Sequence, residues 1–206
     1  FSPVTIADLE SNRLILKKLK KYFSSVPIIS EEEKDISHTK SMYYFLVDPL
    51  DGTKEFIKGS DEYTVNIALM KKNKPILGFI YIPETEEIFW NDENGSYYER
   101  DSKKRKINVS DDCEKILRVE ASKSHLDEVT DFFLRKLQVK KLNYSGSSLK
   151  LCNLALGNSN LYPRFSPSME WDIAAGHAIL KNAGGEIFTT KLENLCYNKP
   201  NLINNS

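Results

Sequence analysis

Two aspartates stand three residues apart in the stretch FLVDPLDGTKEF, Phe45 to Phe56, directly after a run of apolar residues. The run reads as a buried strand from Met42 to Val47 that delivers Asp48 at its C-terminal end, where open α/β sheets usually place their chemistry. Pro49 cannot donate to a strand ladder, so the chain is expected to turn there. Such a turn would bring Asp51 back towards Asp48 and aim the carbonyl of Leu50 at the same place. Gly52 and Thr53 would then offer backbone N–H groups at the start of the next segment. Two carboxylates and a carbonyl that converge suit a hard cation such as Mg²⁺, which takes oxygen ligands and keeps several waters. The plainer reading of the same residues is an Asx-turn at Asp48 and a helix N-cap at Asp51.

Two more acidic sites bear on the choice. Glu31 and Glu32 follow the apolar VPII, at the end of another short strand, where the plainer reading is a solvated charge run. Asp172, in EWDIAAGHAIL, stands at a helix start, and Ala174, Ala175, Gly176 and Ala178 would let that helix approach another backbone closely. A helix N-cap is the alternative role for Asp172.

The elements that must position these groups follow from periodicity. Ile6, Leu9, Leu16, Leu19 and Phe23 recur at helical spacing, giving a helix from Thr5 to Phe23. Strands follow at Tyr63 to Leu69, Ile76 to Ile82, Glu87 to Trp90 and Ser96 to Glu99, so the first half is helix plus antiparallel sheet. The basic SKKRKINVS reads as a solvated loop between two halves, residues 1–105 for metal binding and 106–206 for substrate. In the second half the pattern predicts strands at Ile116 to Ala121, Val139 to Tyr144, Leu161 to Arg164 and Glu186 to Thr189. Helices alternate with them at Asp127 to Leu137, with Val129, Phe132, Phe133 and Leu137 inward, at Ser147 to Leu156, ended by Gly157, and at Asp172 to Ala183, ended by a glycine pair. The fold class is α/β.

Composition narrows the function. Of 206 residues, 40% are hydrophobic and 28% charged with a formal net charge of zero, which argues against nucleic acid as a partner. No apolar run is long enough for stable membrane insertion. Three scattered cysteines, Cys113, Cys152 and Cys196, fit a reducing compartment. The expected location is the cytoplasm, free or at the inner face of the membrane.

Taken in order, PVTIAD, SEE, VDPLDGTKEF, GSSLK and MEWDIAAGHAILKNAGG resemble the inositol monophosphatase superfamily of Mg²⁺-dependent, lithium-sensitive phosphatases. The acidic pair, the D-P-L-D-G-T run, and W-D followed by eleven residues, Ile173 to Ala183, before G-G match the superfamily pattern without a gap. Lys54, Glu55 and Phe56 after the threonine, with GSSLK, LYPRF and MEWD, look more like the CysQ-type 3′(2′),5′-bisphosphate nucleotidase branch than like inositol phosphatases proper.

The resemblance implies an αβαβα sandwich, with an N-terminal antiparallel sheet and helices and a C-terminal mixed α/β layer. It implies two or three Mg²⁺ ions. One is held by Glu31, Asp48 and the Leu50 carbonyl, and another by Asp48, Asp51 and Asp172. Thr53 with Glu31 would orient the attacking water, and Asp8 would pair with the Thr53 hydroxyl, although Asp8 also suits a first helical turn. Substrate contacts are expected from Gly52, Thr53, Lys54, His125, Gly146, Ser147, Ser148, Lys150, Arg164, Glu170 and Asp172. His38 and His177 read as structural. The implied reaction removes the 3′-phosphate of adenosine 3′,5′-bisphosphate, giving AMP and phosphate, in a monomer or homodimer. An inositol monophosphatase or sugar bisphosphatase is the alternative within the family. The chain starts on FSPVT, without the helix that family members carry ahead of this point. A truncated, non-catalytic ligand-binding remnant is therefore the alternative of another class.

Overall fold

Thr5 opens the first helix as its capping pattern requires. The computed structural model describes residues 3–33, 38–111, 117–124, 126–137, 139 and 141–205. In it, α1 spans Ile6–Tyr22; the Thr5 hydroxyl accepts from the Ala7 N–H at 3.2 Å, and the Thr5 N–H donates to Asp8 at 2.7 Å. Strand β1 (Ile28–Ser30) pairs in parallel with β2 (Tyr43–Asp51), and the short helix α2 (Thr53–Ile57) follows. Then β3 (Thr64–Lys71), β4 (Lys74–Ile82), β5 (Glu87–Asp92), β6 (Gly95–Arg100) and β7 (Lys103–Ile107) extend the sheet antiparallel. Among the described residues this sheet has seven strands in the order of the chain.

The second half supplies β8 (Arg118–Ser122), α3 (Glu128–Lys136), β9 (Lys141–Ser145), α4 (Leu149–Ala155), β10 (Ser168–Met169), α5 (Glu170–Asn182) and β11 (Ile203–Asn204). Strands β8 and β9 pair in parallel, and β10 with β11 antiparallel. The architecture is the mixed α/β arrangement expected.

Four local readings need correction. Pro49 does not end β2; the ladder to β3 shifts register between Asp48 and Asp51, and a bulge there tolerates a residue without an N–H. The basic run is edge strand β7 rather than a loop, and consecutive cationic side chains suit an edge that faces water. The strands expected at Leu161 to Arg164 and Glu186 to Thr189 reduce to isolated bridges, Val119 with Leu161 and Phe188 with Asn194; Pro163 denies the first a continuous ladder. In α3 the inward residues are Thr130 and Leu134, while Val129 and Phe132 are 58% and 61% exposed. The N-cap sets that phase, because Asp127 accepts from both the N–H and the hydroxyl of Thr130. Phe133 does turn inward, against Phe165. The expected start of β8 at Ile116 lies outside the described residues.

Helix α5 lies against one face of the large sheet, chiefly along β4 and β3. Its small residues make this possible, as their spacing suggests. At Gly78 of β4 a side-chain Cβ would stand 2.1 Å from the carbonyl oxygen of Ala175, so helix and strand meet backbone to backbone. Tyr44, Met70, Ile80 and Phe89 of the sheet share one cluster with Leu151, Trp171 and Ile179, so both halves are anchored in the same core. Alternation in β3 turns Thr64, Asn66, Ala68 and Met70 towards this interior and leaves Val65, Ile67 and Leu69 half-buried on the opposite face. There Ile67, Leu69, Phe79, Ile88 and Trp90 line an apolar groove of about 480 Å³. His177 is structural, held between the Tyr197 hydroxyl and Glu186 at 2.9 Å each. Among the described residues no helix is long and apolar enough to cross a membrane.

Gly78→Val should lower stability by at least about 1–3 kcal/mol, since backbone rather than a flexible side chain blocks the new atoms. The midpoint of urea unfolding measures this.

Candidate active site

The end of β1, the bulge of β2 and the start of α5 open onto one cavity of about 390 Å³. Glu31, Asp48, Leu50, Asp51, Thr53 and Asp172 all line it. Parallel pairing of β1 with β2 sets the first of these, for Ser30 lies opposite Val47 and the Glu31 N–H donates to the Val47 carbonyl at 3.1 Å. The bulge sets the next pair. Asp48 is 1% exposed and accepts from the Leu50 N–H at 3.1 Å, the Asx-type contact expected, while its carboxylate also faces the cavity. Asp51 is not a helix cap, because Gly52 holds that position at φ 92°, a left-handed conformation that favours glycine. Asp172 is likewise inside α5 rather than its N-cap, and accepts from the Met169 N–H at 3.0 Å.

Asp8 plays both roles considered for it. One carboxylate oxygen caps α1, and the other accepts from the Thr53 hydroxyl at 3.1 Å across 45 positions of sequence. The same hydroxyl lies 3.2 Å from the Leu50 carbonyl; with its single proton given to Asp8, which does not line the cavity, its oxygen keeps a usable lone pair.

These carboxylates oppose one another. Burial, followed by the charges of Asp51, Glu31 and Asp172, pushes Asp48 well above the usual carboxylate range. Burial and then Asp51 raise Asp172 to about 8, and burial followed by Glu32 and Asp51 raises Glu31 to about 7. As they stand, no three acidic, histidine or cysteine side chains among the described residues are gathered closely enough to grip a metal. The group supplies hard oxygen donors to one shared space, with Glu31 and Asp48 joined by a side-chain hydrogen bond. Such a donor set fits divalent cations that prefer oxygen, with Glu31, Asp48, Asp51, Asp172 and the Leu50 carbonyl as ligands.

Two cationic side chains, Lys150 and Arg164, line the same cavity. Lys150 is buried and donates to the carbonyls of Ser145 at 3.1 Å and Ser147 at 2.5 Å, and burial pushes its pKa down to about 8. Arg164 is tethered through the carbonyls of Ser166 and Pro167. Gly52, Lys54, Gly146, Ser147 and Ser148 complete the expected lining. Glu170 does not join them. It is fully buried in the first turn of α5, where its carboxylate accepts from the Asn198 and Lys199 N–H groups and the Lys199 ammonium, so its expected substrate contact is corrected to a structural one. His125 lies outside the described residues.

Sequence reading missed Glu55, Ser122, Ser124 and Tyr162, which also line the cavity. Tyr162 was findable, since it stands two positions before Arg164 in an extended segment and so shares its side. Glu55 was hidden: α2 is a single short turn with no periodicity to phase it, and the contact that fixes Glu55, with the Ser124 hydroxyl, comes from the other half.

Comparison with known proteins fits this geometry. The sequence profile of the Inositol monophosphatase family matches residues 2–206. The chain belongs to that family. It is 39% identical over 198 residues to the 3′(2′),5′-bisphosphate nucleotidase CysQ of Salmonella typhimurium, covering 95% of this chain and 80% of that protein. It is 42% identical over 200 residues to the CysQ nucleotidase of Buchnera aphidicola, across 95% of this chain and 74% of that protein. The crystal structure of CysQ from Bacteroides thetaiotaomicron matches with a TM-score of 0.87 at 35% identity, over 99% of this chain and 83% of that one.

The raised carboxylates give this family member a distinctive pH response. Acids whose folded-state pKa exceeds the unfolded value bind protons more tightly when folded, so their effect favours the fold at low pH and turns against it as pH rises through the folded pKa. In chelator, the melting temperature should fall from about pH 4 to about pH 8, between the ordinary carboxylate range and the raised values of Glu31 and Asp172, and Mg²⁺ should flatten that slope. Thermal melts across a pH series test this, and Asp51→Asn in chelator should melt higher than the parent chain.

Proposed function

We propose that the chain is a Mg²⁺-dependent phosphatase that removes the 3′-phosphate of adenosine 3′,5′-bisphosphate, yielding AMP and phosphate in the cytoplasm. The observation that carries this reading is the mixed lining of the cavity, an acidic wall of four carboxylates together with the cationic Lys150 and Arg164. The acidic wall suits cations, and the cationic pair suits a second phosphate that a monophosphate ester lacks. The nucleotidase relatives, about two-fifths identical, supply the substrate class.

When bound, divalent cations supply charge neutralisation on phosphoryl oxygens and lower the pKa of water. The protein's own groups then divide the remaining work. Glu31 accepts the proton of the attacking water, and Thr53, its proton committed to Asp8, presents a lone pair that fixes that water's direction. Lys150 and Arg164 draw a doubly charged substrate into register, so that the scissile ester and not its partner lies beside the carboxylates. Gly52, Ser147 and Ser148 shape the same cavity.

Phosphate release from adenosine 3′,5′-bisphosphate, inositol 1-phosphate and a sugar bisphosphate, each with Mg²⁺, tests the reading; a preference for inositol 1-phosphate would replace it with an inositol monophosphatase. No turnover in a folded, Mg²⁺-loaded sample would identify a non-catalytic remnant. Thr53→Val should reduce kcat by about 10²–10⁴-fold with little change in KM, as expected for loss of a group that positions the water. Millimolar Li⁺ should inhibit the parent chain.

A further inference from the structure

The hydroxyls around Asp51 have a direction. The Ser147 hydroxyl donates to Asp51 Oδ2 at 2.7 Å, and the Asn66 side-chain N–H donates to the same oxygen at 3.3 Å. The Ser147 hydroxyl is the donor in that bond, so its single proton is committed there. The 2.6 Å contact between the hydroxyls of Ser147 and Thr64 must then carry the Thr64 proton. The Ser148 hydroxyl stands 2.8 Å from both Thr64 and Asn66 Oδ1 and shares its one proton between them, while the Thr64 hydroxyl also lies 3.2 Å from Asn66 Oδ1. That oxygen assignment agrees with Asn66 donating to Asp51 through its nitrogen.

We propose that Thr64, with Asn66 and Ser148, forms a directed hydrogen-bond chain, Ser148 to Thr64 to Ser147 to Asp51, that positions Asp51 as a cation ligand. The chain holds Oδ2 in two donated bonds, which would fix the carboxylate's orientation towards a bound cation. Thr64 is fully buried and does not line the cavity, so it acts only through its neighbours. It is a positioning residue that joins β3 of the large sheet to the β9–α4 junction. Ser147 holds a left-handed backbone at φ 48°, and its carbonyl is gripped by Lys150. The hydroxyl therefore stays where the chain needs it. Polar partners of this kind orient metal ligands from outside the coordination shell.

The inference rests on the reading of the acidic wall as a cation site. Calorimetric titration of the folded protein with Mg²⁺ tests it without turnover. Thr64→Val keeps the shape and removes the donor, and should weaken Mg²⁺ binding by about 10- to 100-fold, with Thr64→Ser restoring it. Ser148→Ala, which changes almost no volume, should weaken binding in the same direction and serves if the valine variant does not fold. Parent-like Mg²⁺ affinity in either folded variant overturns the chain. Absence of Mg²⁺ binding in the parent protein overturns the cation-site reading itself, and the chain's purpose with it.

Discussion

Buried negative charge gathered in one place governs this molecule. Glu31, Asp48, Asp51 and Asp172 arrive from separate segments and face a common cavity, where burial and neighbouring negative charge lift the proton affinities of Glu31, Asp48 and Asp172. Folding alone does not favour such an assembly, so the surrounding structure must hold it against its own field. It does so with local donors, the N–H groups of Leu50 and Met169 and the hydroxyl of Ser147, each fixing one carboxylate oxygen. The shared core beneath supplies the restraint that keeps the donors themselves in place.

That core explains why the two halves cannot be considered apart. Helix α5 carries Asp172 and also lies directly on the sheet that carries Asp48 and Asp51. The close approach at Gly78 and Ala175 fixes the depth of the helix, and with it the reach of Asp172 into the cavity. A second set of bridges crosses at the surface of the cavity, where Ser147 meets Asp51 and Ser124 meets Glu55. Catalytic geometry is thereby an outcome of how deeply one layer sinks into another.

Much of this was legible in the sequence because short-range rules set it. The helix cap at Thr5, the apolar run of β2 and the small-residue stripe of α5 each follow from local chemistry, and the acidic positions could be placed from them. What escaped depends on tertiary context. The bulge at Pro49 appears only when β3 is paired against β2, and α3 takes its phase from a side-chain cap that outweighs the apolar pattern of Val129 and Phe132. The family resemblance placed Glu170 among the substrate contacts, but it sits two positions before Asp172. One helical step of about 100° per residue sends the two side chains to different sides.

The double use of Asp8 has its own consequence. A single carboxylate both starts α1 and restrains the hydroxyl of Thr53, so the opening turn of a surface helix and the alignment proposed for the water-orienting threonine form one mechanical unit. Fraying of that turn, a local motion that leaves the sheet and core untouched, releases the threonine. The earliest casualty of warming or mild denaturant would then be turnover, at conditions where the bulk of the molecule still keeps its shape.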